Sequence, residues 1–188
     1  ELHCHLGGVL KTEDMIRVAE VMEEEVQEEE PKWLPILGSF KPLIENEDLD
    51  GILTMMLNHA CGSKRPLKSL RQIPGLPEPL GVCAFILLFK ENPGLLENFL
   101  NRVSCLYENR FESYESSGDL QGSGLLQNGK TVYATTKIWL EHCRSHNVKY
   151  LELRCSPVNY TRGGMTQEEV VTAIREACCV VPEVETRL

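Results

Sequence analysis

An α/β fold with parallel strands is predicted for this chain, because helical and strand patterns alternate along its second half. The segment 148–157 alternates apolar and polar residues with the period of two that is typical of a β-strand. A segment with apolar residues at helical spacing precedes it, and another follows it after a short connection. Strands joined through helices in this way lie parallel. At 188 residues the chain is long enough for one domain with a core, or for a piece of a larger one.

The first eight residues hold the pattern that bears most directly on chemistry. His3 and His5 are separated by one residue, and a strand points alternate side chains to the same face. A turn at Gly7 and Gly8 follows at once, so the imidazoles lie where a strand ends, which is where α/β barrels place their chemistry. Spacing alone leaves two interpretations open: half of a metal site, or two histidines at a strand end without a ligand.

The next segment predicts a helix that is capped by Thr12 and runs to about Gln27, with its acidic end in solvent. Pro31 is expected to stop this helix. Prolines are frequent from 31 to 79, and we expect irregular structure there, apart from a short helix at 49–59.

The run 82–89 is apolar throughout, so periodicity does not decide between a buried strand and the start of a helix. Asn92 and Pro93 then stand near the start of a clear helix. Its apolar residues recur at i, i+3, i+4 and i+7 and form one stripe: Leu96, Phe99, Leu100 and Val103. Periodicity by itself favours core packing for this stripe.

Glycine, serine and asparagine dominate 116–129, which predicts a mobile loop or a place where residues were omitted. A helix is then expected over 131–142. In the strand that follows, Glu152 and Arg154 share one face and apolar residues occupy the other. Cys155 and Ser156 at its end either line a pocket or pack as an ordinary strand end.

Thr166 and Glu169 match the capping box that opens many helices. The helix they introduce is expected to run to about Cys179. The segment 184–188 then begins the next strand, which continues the alternation of helices and strands.

Composition narrows the class of protein. The formal net charge of −9 argues against a dedicated binder of nucleic-acid backbone, but not against an enzyme that takes one base into a pocket. The basic stretch 64–71 is either an exposed loop or a contact for phosphate. Eight cysteines without a C-x-x-C pair favour thiols in a reducing cytoplasm over a disulfide framework. The apolar run 80–89 is about half the length needed to span a bilayer, so no membrane partner is expected.

The chain has no initiator Met and begins inside what looks like a strand. We therefore expect a fragment of a longer polypeptide, or several pieces of one written as a single run. The site predicted at the first strand would then be completed by residues outside this sequence.

Four segments, in order, resemble the adenosine and AMP deaminases of the metal-dependent amidohydrolase superfamily. Residues 1–8 are similar to the family's opening E-L-H-x-H-L-D-G, and 96–100 to its L-x-x-F-L helix over the substrate pocket. Residues 150–157 look like its Y-x-E-x-R-x-S-P strand, and 165–171 like the helix that follows. The resemblance covers roughly half of the chain and leaves the proline-rich middle unexplained.

The fold that this resemblance implies is a (β/α)8 TIM-type barrel. The chain would be its N-terminal portion, with three strand–helix units, the approach to the fourth, and a long insertion after the first strand at about 31–90. Because such a barrel needs about 250 residues, this chain alone cannot close one.

The function that the resemblance implies is zinc-dependent hydrolytic deamination of adenine in adenosine, an adenine nucleotide or RNA, which gives the inosine form and ammonia. Zinc lowers the pKa of bound water, so that hydroxide can attack the ring carbon that bears the amino group. His3 and His5 are the expected metal ligands. The residues expected to contact substrate are Gly7, Leu96, Phe99 and Leu100.

Three departures from the family pattern keep alternatives open. Gly7 stands where the family typically has an Asp that contacts the sugar's 5′ hydroxyl; glycine either makes room for a 5′-phosphate or a polynucleotide, or indicates poor turnover of free adenosine. No segment matches the family's third metal histidine, its H-A-x-E segment or its late Asp pair, so we expect no acid/base catalyst here. Long insertions occur in AMP deaminases and in large prokaryotic deaminase-like proteins, including phage-defence assemblies, and we favour a resemblance to the last group. The alternative is therefore a catalytically incomplete scaffold, and a homo-oligomer or larger assembly is expected.

Overall fold

The computed structural model describes residues 4–59, 70, 73, 75–105, 120 and 122–188. The chain is mixed α/β and mostly helical, with a small three-stranded parallel sheet in the order β1, β2, β3. The strands are Cys4–His5 (β1), Tyr150–Arg154 (β2) and Glu185–Arg187 (β3). The predicted α/β fold with parallel strands is confirmed at this level.

The central strand, β2, shows the alternation that its sequence predicts. Cys4 of β1 pairs with Leu153, and His5 pairs with Arg154. Leu151 and Leu153 are buried, whereas Arg154 is exposed. Since paired residues of parallel strands point to the same face, the sheet has one apolar face and one polar face.

Seven helices are described between β1 and residue 105, and together they are called the helical part below. They are Thr12–Glu20 (α1), Glu23–Glu28 (α2), Glu30–Leu37 (α3), Lys41–Glu45 (α4), Leu49–His59 (α5), Leu80–Leu87 (α6) and Pro93–Ser104 (α7). Their common core contains four fully or almost fully buried phenylalanines. The ring of Phe85 lies 5.5 Å from Phe40, 5.3 Å from Phe89 and 5.6 Å from Phe99, between centroids.

Four predictions for the helical part are wrong. The N-cap of α1 is Lys11 rather than Thr12, and no side chain caps this helix end. The helix expected over 12–27 is broken between α1 and α2, although no glycine or proline stands at the break. Pro31 does not end a helix but lies in the first turn of α3, where its missing N–H has no intrahelical partner to lose. Much of 31–79 is helical rather than irregular, because the prolines of α3 and α4 fall mostly in such first turns.

Other predictions for the helical part are confirmed or settled. The helix at 49–59 is α5, and the helix after Asn92 is α7, where the Asn92 side chain accepts a hydrogen bond from the Leu95 amide. The ambiguous apolar run at 82–89 is mainly helix α6. Every residue from 80 to 86 is buried, as expected for a helix that is apolar all round.

Helices Gly129–Ser145 (α8) and Gln167–Cys179 (α9) pack on the apolar face of the sheet, and with the three strands they form what is called the sheet layer below. The predicted capping box is present, since the Thr166 hydroxyl accepts from the Glu169 amide and the Glu169 carboxylate accepts from the Thr166 amide. The strand expected over 184–188 is β3. These outcomes confirm the alternation of helix and strand in the second half of the chain.

Two predicted loops lie partly outside the described residues. Of the basic stretch 64–71 only Leu70 is described, and of the predicted loop 116–129 only residue 120 and residues 122–129 are described. Residues 122–128 form turns and bends, with Leu125 and Leu126 fully buried. The insertion expected at about 31–90 holds α3 to α6, which pack into the same apolar core as α1 and α7. Among the described residues, no helix is both long and apolar enough to cross a bilayer.

Candidate functional site

The carboxyl ends of β1 and β2 hold two of the polar residues that the sequence singled out, His5 and Arg154. His3 lies outside the described residues. His5 is the last residue of β1, is exposed, and stands in register with Arg154 at the end of β2. Of the predicted pair of metal ligands, one is therefore placed at the carboxyl end of a parallel strand.

The register assigns a set of ionisable side chains to the polar face of the sheet. Tyr150 pairs with Glu185, and Glu152 pairs with Arg187. The parallel register therefore adds both charges of β3 to the face that already carries His5 and Arg154. The polar face is formed by His5, Tyr150, Glu152, Arg154, Glu185 and Arg187.

The charges of this face are partly paired within each strand. Arg154 Nη2 lies 3.7 Å from Glu152 Oε2, and the Tyr150 hydroxyl donates to Glu152 Oε1 at 3.3 Å. In β3, Arg187 Nη2 lies 3.0 Å from Glu185 Oε1. Partial desolvation and the negative charge of Glu152 raise the pKa of the Tyr150 phenol, so it stays a hydrogen-bond donor at neutral pH. The face can offer both guanidinium and carboxylate groups to a polar ligand.

An open cleft of about 540 Å³ lies at the ends of β2 and β3. Its lining includes Arg154, Cys155, Pro157 and Arg187. Burial raises the pKa of the Cys155 thiol, which therefore stays protonated and is a poor nucleophile at neutral pH. Cys155 thus lines the cleft, and its protonated, half-buried thiol is more typical of a packing residue than of a catalytic one.

Gly7 lies in a 3-10 turn, Leu6–Gly8, that leads away from β1. A Cβ atom at this position would lie 3.2 Å from the Tyr160 hydroxyl oxygen and 3.5 Å from the Cα atom of Gly122. The second distance is an ordinary van der Waals contact, but the first is tight, so a side chain at position 7 would require the Tyr160 hydroxyl to move by a few tenths of an ångström. Tyr160 comes from the 3-10 turn Pro157–Tyr160 after β2 and is buried. The sequence could not have predicted that Tyr160 lies beside Gly7, because 153 positions separate the two residues.

The other expected substrate contacts lie on α7. Leu96 and Phe99 are fully buried and Leu100 is almost so, within the apolar core of the helical part. The ring of Phe99 packs on those of Phe85 and Phe89. Core packing, which periodicity favoured for this stripe, is therefore present, and substrate contact by these residues stays a prediction.

Two residues that the sequence did not single out hold the loop between β2 and α9. The Gln127 side chain is almost fully buried; its Nε2 donates to the Asn159 carbonyl at 2.7 Å and its Oε1 accepts from the Gly163 amide at 3.0 Å. Arg162 Nη2 donates to the Ser123 carbonyl at 2.7 Å. This loop carries Tyr160, so Gln127 and Arg162 also fix the neighbourhood of Gly7.

His3 and His5 offer imidazole nitrogen atoms, which suit zinc, but two ligands form only part of a zinc coordination shell. Imidazole nitrogen is a common zinc ligand, and zinc takes three or four protein ligands. In the described part of the chain, no group of three or more His, Cys, Asp and Glu side chains is arranged to hold a metal ion. His142 lies elsewhere, on α8, with its Nε2 atom 3.0 Å from Asp14 Oδ2. A complete site would need ligands beyond His3 and His5.

Comparisons with protein-family models, with curated proteins and with solved structures return no match for this chain. The geometry of the site and the sequence pattern are therefore the grounds on which a function can be argued.

Proposed function

We propose that this chain is the N-terminal portion of a metal-dependent hydrolase that deaminates adenine in adenosine, an adenine nucleotide or RNA. His3 and His5 would supply two of the metal ligands, and the three strands would be the first of a (β/α)8 barrel. The observation that carries the proposal is the position of His5: at the carboxyl end of a parallel strand, on the polar face of the sheet.

The layering of the sheet supports this proposal. In a (β/α)8 barrel the helices cover the outer face of the sheet, and the inner face points to the barrel axis. Here α8 and α9 cover the apolar face. The opposite face carries His5 and Arg154 at the strand ends, which is where barrel enzymes assemble their sites.

Each residue has a defined part in the proposed reaction. His3 and His5 would bind zinc, which when bound would make water nucleophilic near neutral pH. Gly7 and the Tyr160 hydroxyl, close together beside β1, would face the sugar or phosphate rather than the base. An apolar wall for the adenine ring is the role expected of Leu96, Phe99 and Leu100.

The test uses the longest natural polypeptide that contains this chain. We expect about one zinc per chain and release of ammonia from adenosine, AMP or an adenine-containing RNA. Changing His3 and His5 together to Ala should abolish both. The matched control is His146→Ala, which removes an exposed histidine at the end of α8. Unchanged zinc content in the double variant would overturn the ligand assignment.

The second candidate is a deaminase-like scaffold that has lost catalysis and serves assembly. Two observations favour it: Gly7 stands where the family that the sequence resembles typically has an Asp, and Glu152 pairs with Arg154 on the polar face. It predicts stable oligomers without ammonia release from any of the three substrates. Release of ammonia that depends on His3 and His5 would exclude it.

A further inference from the structure

We infer that Trp139 is a positioning residue for His5, the histidine of β1, and that it acts through Cys4. This inference rests on the proposed function, because it concerns the same metal site. The structural part of the inference does not depend on that function: Trp139 holds Cys4 on the helix side of the sheet, so that His5 lies on the polar face.

The contact is a hydrogen bond across the sheet layer. Trp139 lies on α8, and its indole Nε1–H donates to Cys4 Sγ at 3.1 Å. Cys4 stands between His3 and His5 in sequence, and it pairs with buried Leu153, so it points to the helix side of the sheet. Because side chains alternate along a strand, a Cys4 held toward α8 sends the His5 side chain to the opposite face.

Strand β1 depends on such an anchor more than a longer strand would. Its described pairing with β2 covers only two positions. A shift of register by one residue would turn every side chain of a strand to the other face. A side-chain contact that holds Cys4 therefore specifies the orientation of His5 as well as its position.

Trp139 is itself held in place. Its ring lies 6.5 Å from that of His142, between centroids, and His142 Nε2 lies 3.0 Å from Asp14 Oδ2. The Asp14 side chain is buried and also pairs with Arg17, at 3.2 Å. The contacts run from α1 through α8 to β1, so the anchor is tied to the rest of the fold.

The test compares two substitutions of the same kind in the longest natural polypeptide. Trp139→Phe removes the indole N–H and keeps an aromatic ring. Trp33→Phe is the matched control, because Trp33 Nε1 also donates a hydrogen bond, at 2.7 Å to the Val26 carbonyl, but in the helical part. The measurements are the rate of alkylation of Cys4, the NMR signal of the His5 imidazole, and affinity for Co²⁺ as a spectroscopic probe of the metal site.

Trp139→Phe should speed alkylation of Cys4 several-fold and shift or broaden the His5 signal, whereas Trp33→Phe should leave both unchanged. Loss of a direct partner of a metal ligand usually costs 10- to 100-fold in affinity, so this indirect contact should cost about 3- to 10-fold for Co²⁺. Equal behaviour of the two variants in alkylation and in the His5 signal would overturn the inference.

Two changes at Cys4 keep the test decisive if Trp139→Phe folds poorly. Cys4→Ala removes the acceptor and should reproduce the loss of Co²⁺ affinity, and adding Trp139→Phe to it should cost nothing more. Cys4→Ser retains an acceptor and should restore affinity. Full affinity in Cys4→Ala would overturn the inference.

Failure of the proposed function gives a different result. If changing His3 and His5 to Ala leaves metal content unchanged, the ligand assignment is wrong. The His5 signal and the Cys4 alkylation rate would still report whether Trp139 orients β1.

Discussion

The helical part and the sheet layer bury their side chains in different ways. In the helical part the core is enclosed: Phe85 contacts three other buried phenylalanines, and helix α6 is buried on all sides. In the sheet layer the strands bury one face against α8 and α9, while the other face carries charged side chains that are exposed or half-buried.

This difference separates buried side chains that determine stability from exposed side chains that a ligand can reach. Removing apolar area from an enclosed core costs free energy of transfer and leaves a cavity. Paired charges on an open face contribute little to stability, because water screens them. His5 and Arg154 lie on the open face, whereas Leu96 and Phe99 lie in the enclosed core. The four predictions below test this contrast, in order of decreasing effect.

The largest effect is expected in the enclosed core. Phe85→Ala should lower the free energy of unfolding by about 3–5 kcal/mol, because it removes a fully buried ring that contacts three others. Chemical denaturation followed by circular dichroism measures the change. Val158→Ala, at a residue 55% exposed, is the control and should change it by less than about 0.5 kcal/mol. A small loss in Phe85→Ala would mean that the helical part is not the enclosed core described above.

A smaller loss is expected where the loop after β2 is held. Gln127→Leu should cost about 1–3 kcal/mol, because the Gly163 amide and the Asn159 carbonyl lose their side-chain partner in a partly buried position. Gln167→Leu is the control, since Gln167 is exposed on α9. If the two variants are equally stable, the hydrogen bonds of Gln127 do not hold the loop.

Local chemistry could be predicted from the sequence, and distant contacts could not. The capping box at Thr166 and Glu169 and the alternation of β2 are set by residues a few positions apart, and both are present. The prolines of α3 and α4 led to the wrong prediction of irregular structure. Proline disrupts the interior of a helix, but it is also favoured in a helix's first turn, where it stands in both of these helices. Contacts such as Trp139 with Cys4, or Tyr160 beside Gly7, join residues that are far apart in sequence, and they become visible only in the fold.

An ion pair between Glu25 of α2 and Lys130 of α8 joins the helical part to the sheet layer, and its contribution to stability should depend on pH. Hydrogen bonding from Lys130 on α8, and then from the backbone, lowers the pKa of Glu25 on α2 below its ordinary value. Its contribution to stability is therefore fully present above the unfolded pKa and is lost as the pH falls through the lower folded pKa. The melting temperature of Glu25→Gln should fall less between about pH 5 and pH 3 than that of the original chain, by about 1–2 °C. Glu28→Gln, at an exposed position of the same helix, is the control. An identical pH profile for Glu25→Gln and the original chain would show that this pair contributes nothing.

The smallest effect is expected on the polar face, and it also tests whether more chain covers that face. Arg154 and Glu152 are both largely exposed, with side chains 58% and 42% accessible, so Arg154→Met in the 188-residue chain should change stability by less than about 0.5 kcal/mol. In a longer polypeptide that closes a barrel over this face, the same change would leave the Glu152 carboxylate buried without a positively charged partner and should cost about 3–5 kcal/mol. Ile174→Val, in the buried core between α9 and the sheet, is the control and should cost the same, about 0.5–1.5 kcal/mol, in both polypeptides. Equal small effects of Arg154→Met in both polypeptides would mean that the face stays open and that no barrel closes over it.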